Sequence, residues 1–91
     1  MIIGEVIGNV WATRKENTLN GLKLMVVQYL DPILPEKKKS FVAVDCVGAG
    51  SGDQVLVVTG SSARIAIKNA DAPVDAAIVG IIDEIQVRLE S

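Results

Sequence analysis

The side chains able to carry chemistry in this 91-residue sequence are few, and most of them gather at two turns inside Val42 to Arg64, VAVDCVGAGSGDQVLVVTGSSAR. Asp45 and Asp53 flank Gly48, Ala49, Gly50, Ser51 and Gly52, and Gly60, Ser61, Ser62, Ala63 and Arg64 follow one strand length later. Two carboxylates across a glycine turn are a minimal acid–base pair, and Asp71 with Asp75 is a second one. Each pair has a simpler use in capping a turn or in a salt bridge. The sequence has no histidine, which excludes a His-based triad, a His metal cage and imidazole base catalysis. Its single cysteine, Cys46, makes a thiolate zinc site implausible. The GAGSG run has neither the spacing of a dinucleotide fingerprint nor the lysine of a phosphate loop, and no helical pattern opens after it. Neither an enzyme nor a cofactor is expected.

If not chemistry, the two turns suit close packing. Glycine and alanine let backbones approach, while Ser51, Ser61, Ser62, Asp53 and Arg64 offer directional hydrogen bonds, and Arg64 with an acidic partner is a reasonable interface clamp. Asp45 lies on an otherwise apolar strand; either it faces solvent or it needs a partner, for which backbone amides in a turn or Arg64 are the candidates. Cys46 reads as a small buried thiol in mid-strand.

The elements that position these residues are short. Met1 to Thr13 alternates as a strand, with Gly4, Val6, Gly8 and Val10 on one face, and the two glycines leave room for a bend or a close backbone approach. Asn20-Gly21 is a hairpin signal leading into Leu22 to Leu30. Asp31 to Ser40 is a loop, its two prolines excluding a continuous helix, and Lys37, Lys38 and Lys39 read as a solvated tip. Strands follow over Phe41 to Val47 and Asp53 to Thr59, the second with the continuous apolar run 55–58 that implies burial on both faces. Gly60 to Asn69 suits a short helix with Ser61 or Ser62 as N-cap, although Ile65 and Ile67 would equally suit a strand. Val74 to Ile82 is nearly all apolar, and Ile85, Val87 and Leu89 alternate with Gln86, Arg88 and Glu90 as a strand with one wet face. Six short strands and one helix without a βαβ rhythm predict an all-β protein, a small antiparallel barrel forming one domain over 1–91.

Composition adds a constraint. Hydrophobic residues make up 49 % of the chain, nearly all aliphatic. A domain of this size buries only about 60 to 65 % of its unfolded surface, so the surplus apolar surface is expected to be covered by another subunit. Net charge is −2, which offers no field for a polyanion. No run approaches the roughly 18 apolar residues of a membrane helix, and no signal peptide is visible, so a cytosolic protein with neither nucleic acid nor membrane as partner is expected. A barrel binding single-stranded nucleic acid or an oligosaccharide is the alternative, but its aromatic platform is missing, since Trp11, Tyr29 and Phe41 share no obvious face.

Several pieces then fall together: Gly4-x-Val6-x-Gly8-x-Val10, Leu19-x-Gly21-x-Lys23-Leu24, Ala43-Val44-Asp45-x-Val47-Gly48-Ala49-Gly50-x-Gly52-Asp53, Gly60-Ser61-Ser62-Ala63-Arg64, and Pro73-Val74-Asp75-Ala76 leading to Gly80-Ile81-Ile82-Asp83. With these the chain resembles the pentameric vertex shell proteins of bacterial microcompartments, the family of the carboxysome and ethanolamine-utilisation vertex proteins. The resemblance implies a barrel of oligonucleotide-binding-like (OB-like) topology, five copies of which form a ring. That ring would cap the fivefold vertices of a polyhedral shell tiled by hexameric shell proteins. It also implies that Asp45, Gly48, Ala49, Gly50, Ser51, Gly52 and Asp53, together with Gly60, Ser61, Ser62, Ala63 and Arg64, lie at subunit contacts or near an axial opening.

Overall fold

The structure is a computed structural model that describes residues 1–11, 19, 21–30, 33, 39–69 and 71–88. Its elements are β1 (Ile2–Val10), β2 (Leu24–Tyr29), β3 (Ser40–Asp45), β4 (Gln54–Thr59), α1 (Ser61–Ala66) and β5 (Ala76–Ile81). The strands close into a barrel in the order β1-β2-β3-β5-β4. Four of its ladders are antiparallel, and β3 with β5 is parallel. The expected OB-like barrel with one helix is therefore present, with one parallel seam that local patterning does not reveal.

The alternation of side chains sorts the apolar residues into two cores. Val6, Met25, Val27, Ala43, Val55, Val57 and Ile78 fill the barrel, with Phe41 packed against them. Outward-facing Leu24, Val44, Ala77 and Val58 are neighbours in the strand registers, and they form a stripe around the wall. Ala63, Ala66 and Ile67 of the helical segment, with Ala72 and Val74, pack into the cluster built on that stripe. This second core explains the unbroken run 55–58: Val55 and Val57 point inward, while Val58 is covered from outside.

The bend expected in the first strand is a bulge. Val6 pairs with Val27 and Gly8 with Val26, leaving Ile7 as the extra residue. Directly opposed residues share a face, so the bulge moves Gly8 and Val10 to the outside, whereas Gly4 stays inside. The two glycines do not share a face, because a bulge shifts the period of two by one residue. A Cβ on Gly4 would collide with Val27 Cγ1 and meet the Gln28 carbonyl oxygen at 3.0 Å. Here close approach does require glycine.

Two further expectations are corrected. The segment 84–88 is in no strand, and its remainder, with Leu89, falls outside the described residues. Cys46 is exposed rather than buried, because the chain leaves the sheet at Asp45 and the cysteine begins the turn. The lysines at 37 and 38 and most of the 31–40 loop lie outside the described residues, as does Asn20. Gly21 has the positive φ of 82° that a tight turn asks of it.

Candidate functional site

The glycine turn between β3 and β4 is built by its two aspartates. The Asp45 side chain is only 2 % exposed. Its Oδ1 accepts the Val47 and Gly48 amides at 3.0 and 3.1 Å. Lys23 Nζ stands 3.9 Å from Oδ2 and donates to the Ala49 carbonyl at 3.4 Å, bracing the turn from the approach to β2. Hydrogen bonds to a charged group contribute about 1.5 to 3 kcal/mol each, so the amides do most to offset the cost of hiding the carboxylate. Turn amides were among the expected partners of Asp45, and Arg64 is not one. At the other end of the turn, Asp53 Oδ2 accepts the Gly50 amide at 2.8 Å, and the Asp53 amide donates to the Gly50 carbonyl at 3.0 Å.

The turn is also stitched to β1 and plugged into the core. Gly52 donates to the Val6 carbonyl at 2.8 Å, and Val6 donates to that of Asp53 at 2.9 Å. Ala49 is buried in the barrel core. Gly48 and Gly52 hold φ of 80° and 92°, which L-residues rarely adopt. Gly50 has no positive φ, and a Cβ there would meet only Asp53 Oδ2 at 3.8 Å. Of the glycines at 48, 50 and 52, the middle one is conformationally replaceable within the subunit. Desolvation first, and then the neighbouring Asp45 carboxylate, raise the Cys46 thiol above its ordinary value.

The second group sits at the opposite end of β4. Gly60 adopts φ 63° and ψ −139° and occupies the N-cap position, with no side-chain hydrogen bond capping the helix. Neither Ser61 nor Ser62 is the N-cap; both are exposed residues of α1 itself. The helix ends in a Schellman arrangement, with Lys68 donating to the Ile65 carbonyl and Asn69 to that of Arg64, and Lys68 takes the left-handed position with φ 60°. Arg64 Nη1 donates to the Val74 carbonyl at 3.1 Å, holding the approach to β5 against the helix. Ala63 is buried beneath it.

Within one copy, then, Asp45 to Asp53 come together as one turn and Gly60 to Arg64 as another, with the six residues of β4 between them, about 20 Å of strand. Ala49 and Ala63 have their side chains inside the subunit, while Gly48, Ser51, Gly52, Ser61 and Ser62 face outward. Sequence reading missed Lys23 as a brace and Lys68 as a left-handed cap, since neither residue type signals such a role. Nor do the three aromatics assemble an outward platform: Tyr29, opposite the inward Gly4, and Phe41, opposite Val27, share the inner face, while Trp11 is 90 % exposed.

A family model described as "Ethanolamine utilisation protein EutN/carboxysome" matches residues 1–83. The chain belongs to that family. It is 48 % identical over 88 residues to the carboxysome shell vertex protein CcmL of Thermosynechococcus vestitus, covering 93 % of this chain and 86 % of that one. It is 40 % identical over 85 residues to the microcompartment shell vertex protein EutN of Escherichia coli K12, covering 93 % and 90 %. The solved structure of GrpN, a pentameric microcompartment shell protein from Rhodospirillum rubrum, superposes with a TM-score of 0.85 at 44 % identity, covering 96 % of this chain and all of the other. Both the expected barrel and the resemblance read from the motifs stand.

Proposed function

We propose that this chain is a structural vertex protein of a bacterial microcompartment shell, five copies closing into a ring that caps a fivefold corner beside hexameric shell proteins. It is not an enzyme; residues 1–91 work as one barrel domain whose task is to pack. The observation that carries this reading is the likeness, over nearly the whole of both chains, to a pentameric shell protein of the same barrel fold. The apolar surface agrees with it. Ile7, Val42, Val47, Ile65 and Ile81 remain exposed on a single copy, as a subunit with two covered flanks requires. A heterologous contact repeated by a closing rotation makes a ring.

In this reading the subunit contacts and the axial opening draw on the two turns: Gly48, Gly50, Ser51, Gly52 and Asp53 at one end, shaped from within by the hidden Asp45 carboxylate, and Gly60, Ser61, Ser62 and Arg64 at the other. Neither nucleic acid nor membrane is a partner, and the protein resides in the shell within the cytoplasm. Native mass spectrometry tests the proposal. Five copies of the 9.6 kDa chain give a dominant species of about 48 kDa. A monomer that binds single-stranded nucleic acid or an oligosaccharide would overturn it, and a hexamer would move the protein from vertex to facet.

A further inference from the structure

The segment after β5 has the sequence of a strand without being one. Ile85, Val87 and Leu89 alternate with Gln86, Arg88 and Glu90. Yet once the Ile82 amide has donated to the Gln54 carbonyl at 2.8 Å, residues 83–88 make no backbone hydrogen bond among the described residues. Val87 is 45 % exposed.

A complementary gap lies in the barrel wall. β3 pairs with β2 from Ser40 to Val44, but with β5 only at Val44 and Asp45. Ser40, Phe41, Val42 and Ala43 therefore present a free edge on the β5 side among the described residues. The chain that parallel register would place there turns its carbonyls elsewhere: that of Val74 accepts from Arg64, and that of Asp75 from the Gly60 amide. Val42, on the outer face of this edge, is 51 % exposed.

We propose that the C-terminal segment of one copy adds as a strand to this β3 edge of the next copy, with Val87 beside Val42. The proposal rests on the ring reading above. Strand addition supplies main-chain hydrogen bonds to an open edge, and alternate side chains supply the fit. The copy's own tail is badly placed for the task. β3 and β5 run parallel, so the tail leaves the barrel where β3 finishes, and a reversal after Ile82 would run into the Ala77 and Ile78 pairing that closes the seam. Charge favours a neighbour lying parallel to β3. Exposed Asp83 and Glu84 lead into the tail, exposed Lys39 leads into β3, and Lys37 and Lys38 precede it in the sequence. Val87 opposite Val42 sets Glu84 next to Lys39.

Two measurements test it. The triple variant Cys46→Ser, Val42→Cys, Val87→Cys is oxidised as the assembled protein and run on a denaturing gel. Adjacent strands hold Cα atoms at distances a disulfide spans, so a ladder of two to five linked copies is expected; unlinked chains, or links only within one chain, would overturn the proposal. Truncation after Glu84 should raise the concentration at which the ring dissociates in native mass spectrometry by at least tenfold, and an unchanged value would overturn it. A full-length pentamer without ladder or shift defeats the tail proposal alone. A full-length chain that is no pentamer defeats the ring reading and this proposal with it.

Discussion

The turns at the two ends of β4 share glycine, alanine and serine but draw on side chains to different degrees. Before the strand, side chains do the work: Asp45 gathers two amides, Asp53 gathers one, and Lys23 braces from outside. After it, the backbone does the work: Gly60 takes a conformation side chains resist, and the helix closes through main-chain bonds around Lys68. Small polar residues at a turn thus do not tell which mechanism holds it. A side-chain-held turn should fail when an acid is removed, and a backbone-held one when a Cβ is added.

The largest expected break is Asp45→Ala, which removes two charge-assisted bonds and should destabilise the subunit by about 3 kcal/mol, read as a lowered denaturation midpoint at fixed protein concentration. Asp45→Asn keeps an acceptor oxygen and should lose about half as much. Next is Gly60→Ala, expected to cost about 2 kcal/mol because its backbone region is nearly closed to other residues. Ser61→Ala, which removes no cap, should stay within about 0.5 kcal/mol in the same melt, and a larger loss would return the serine to a capping role. Smaller, and of opposite sign, is Lys68→Gly: relief of a left-handed lysine should exceed the entropy glycine brings and stabilise by about 0.5 kcal/mol. The smallest effect is chemical. Because the Cys46 thiol is raised, its alkylation should need a higher pH than that of a free thiol, and Asp45→Asn should move the rate profile to lower pH.

Much of the fold was legible because it depends on local pattern. The strand cores, the short helix and the glycine turn were all readable from alternation and turn chemistry, and the family from motifs spread along the chain. What stayed hidden depends on which strands meet. The parallel seam between β3 and β5 follows from topology, and the second core from a helix covering the wall, so the double burial of 55–58 could be inferred but not its cause. Cys46 misled because the strand pattern runs past Asp45, whereas the Asp45 carboxylate takes the next two free amides and turns the chain out of the sheet. The glycine turn is half legible for a related reason: glycine content shows that a turn is tight, while only the dihedral angles show that Gly48 and Gly52, and not Gly50, take the positive φ.

The strand order has a bearing on synthesis. β5 slots between β3 and β4, so the barrel cannot close until β5 has left the ribosome. Until then the strands available, β1 to β4, can pair only as an open sheet with two raw edges, at β3 and at β4, and with Ala77 and Ile78 missing from the two cores. Neighbouring nascent chains on one message would meet in that state, where non-local closure is slow and edges pair readily. Exposed Lys39, immediately ahead of β3, sets a positive charge at the start of one of those edges at the time it is most vulnerable.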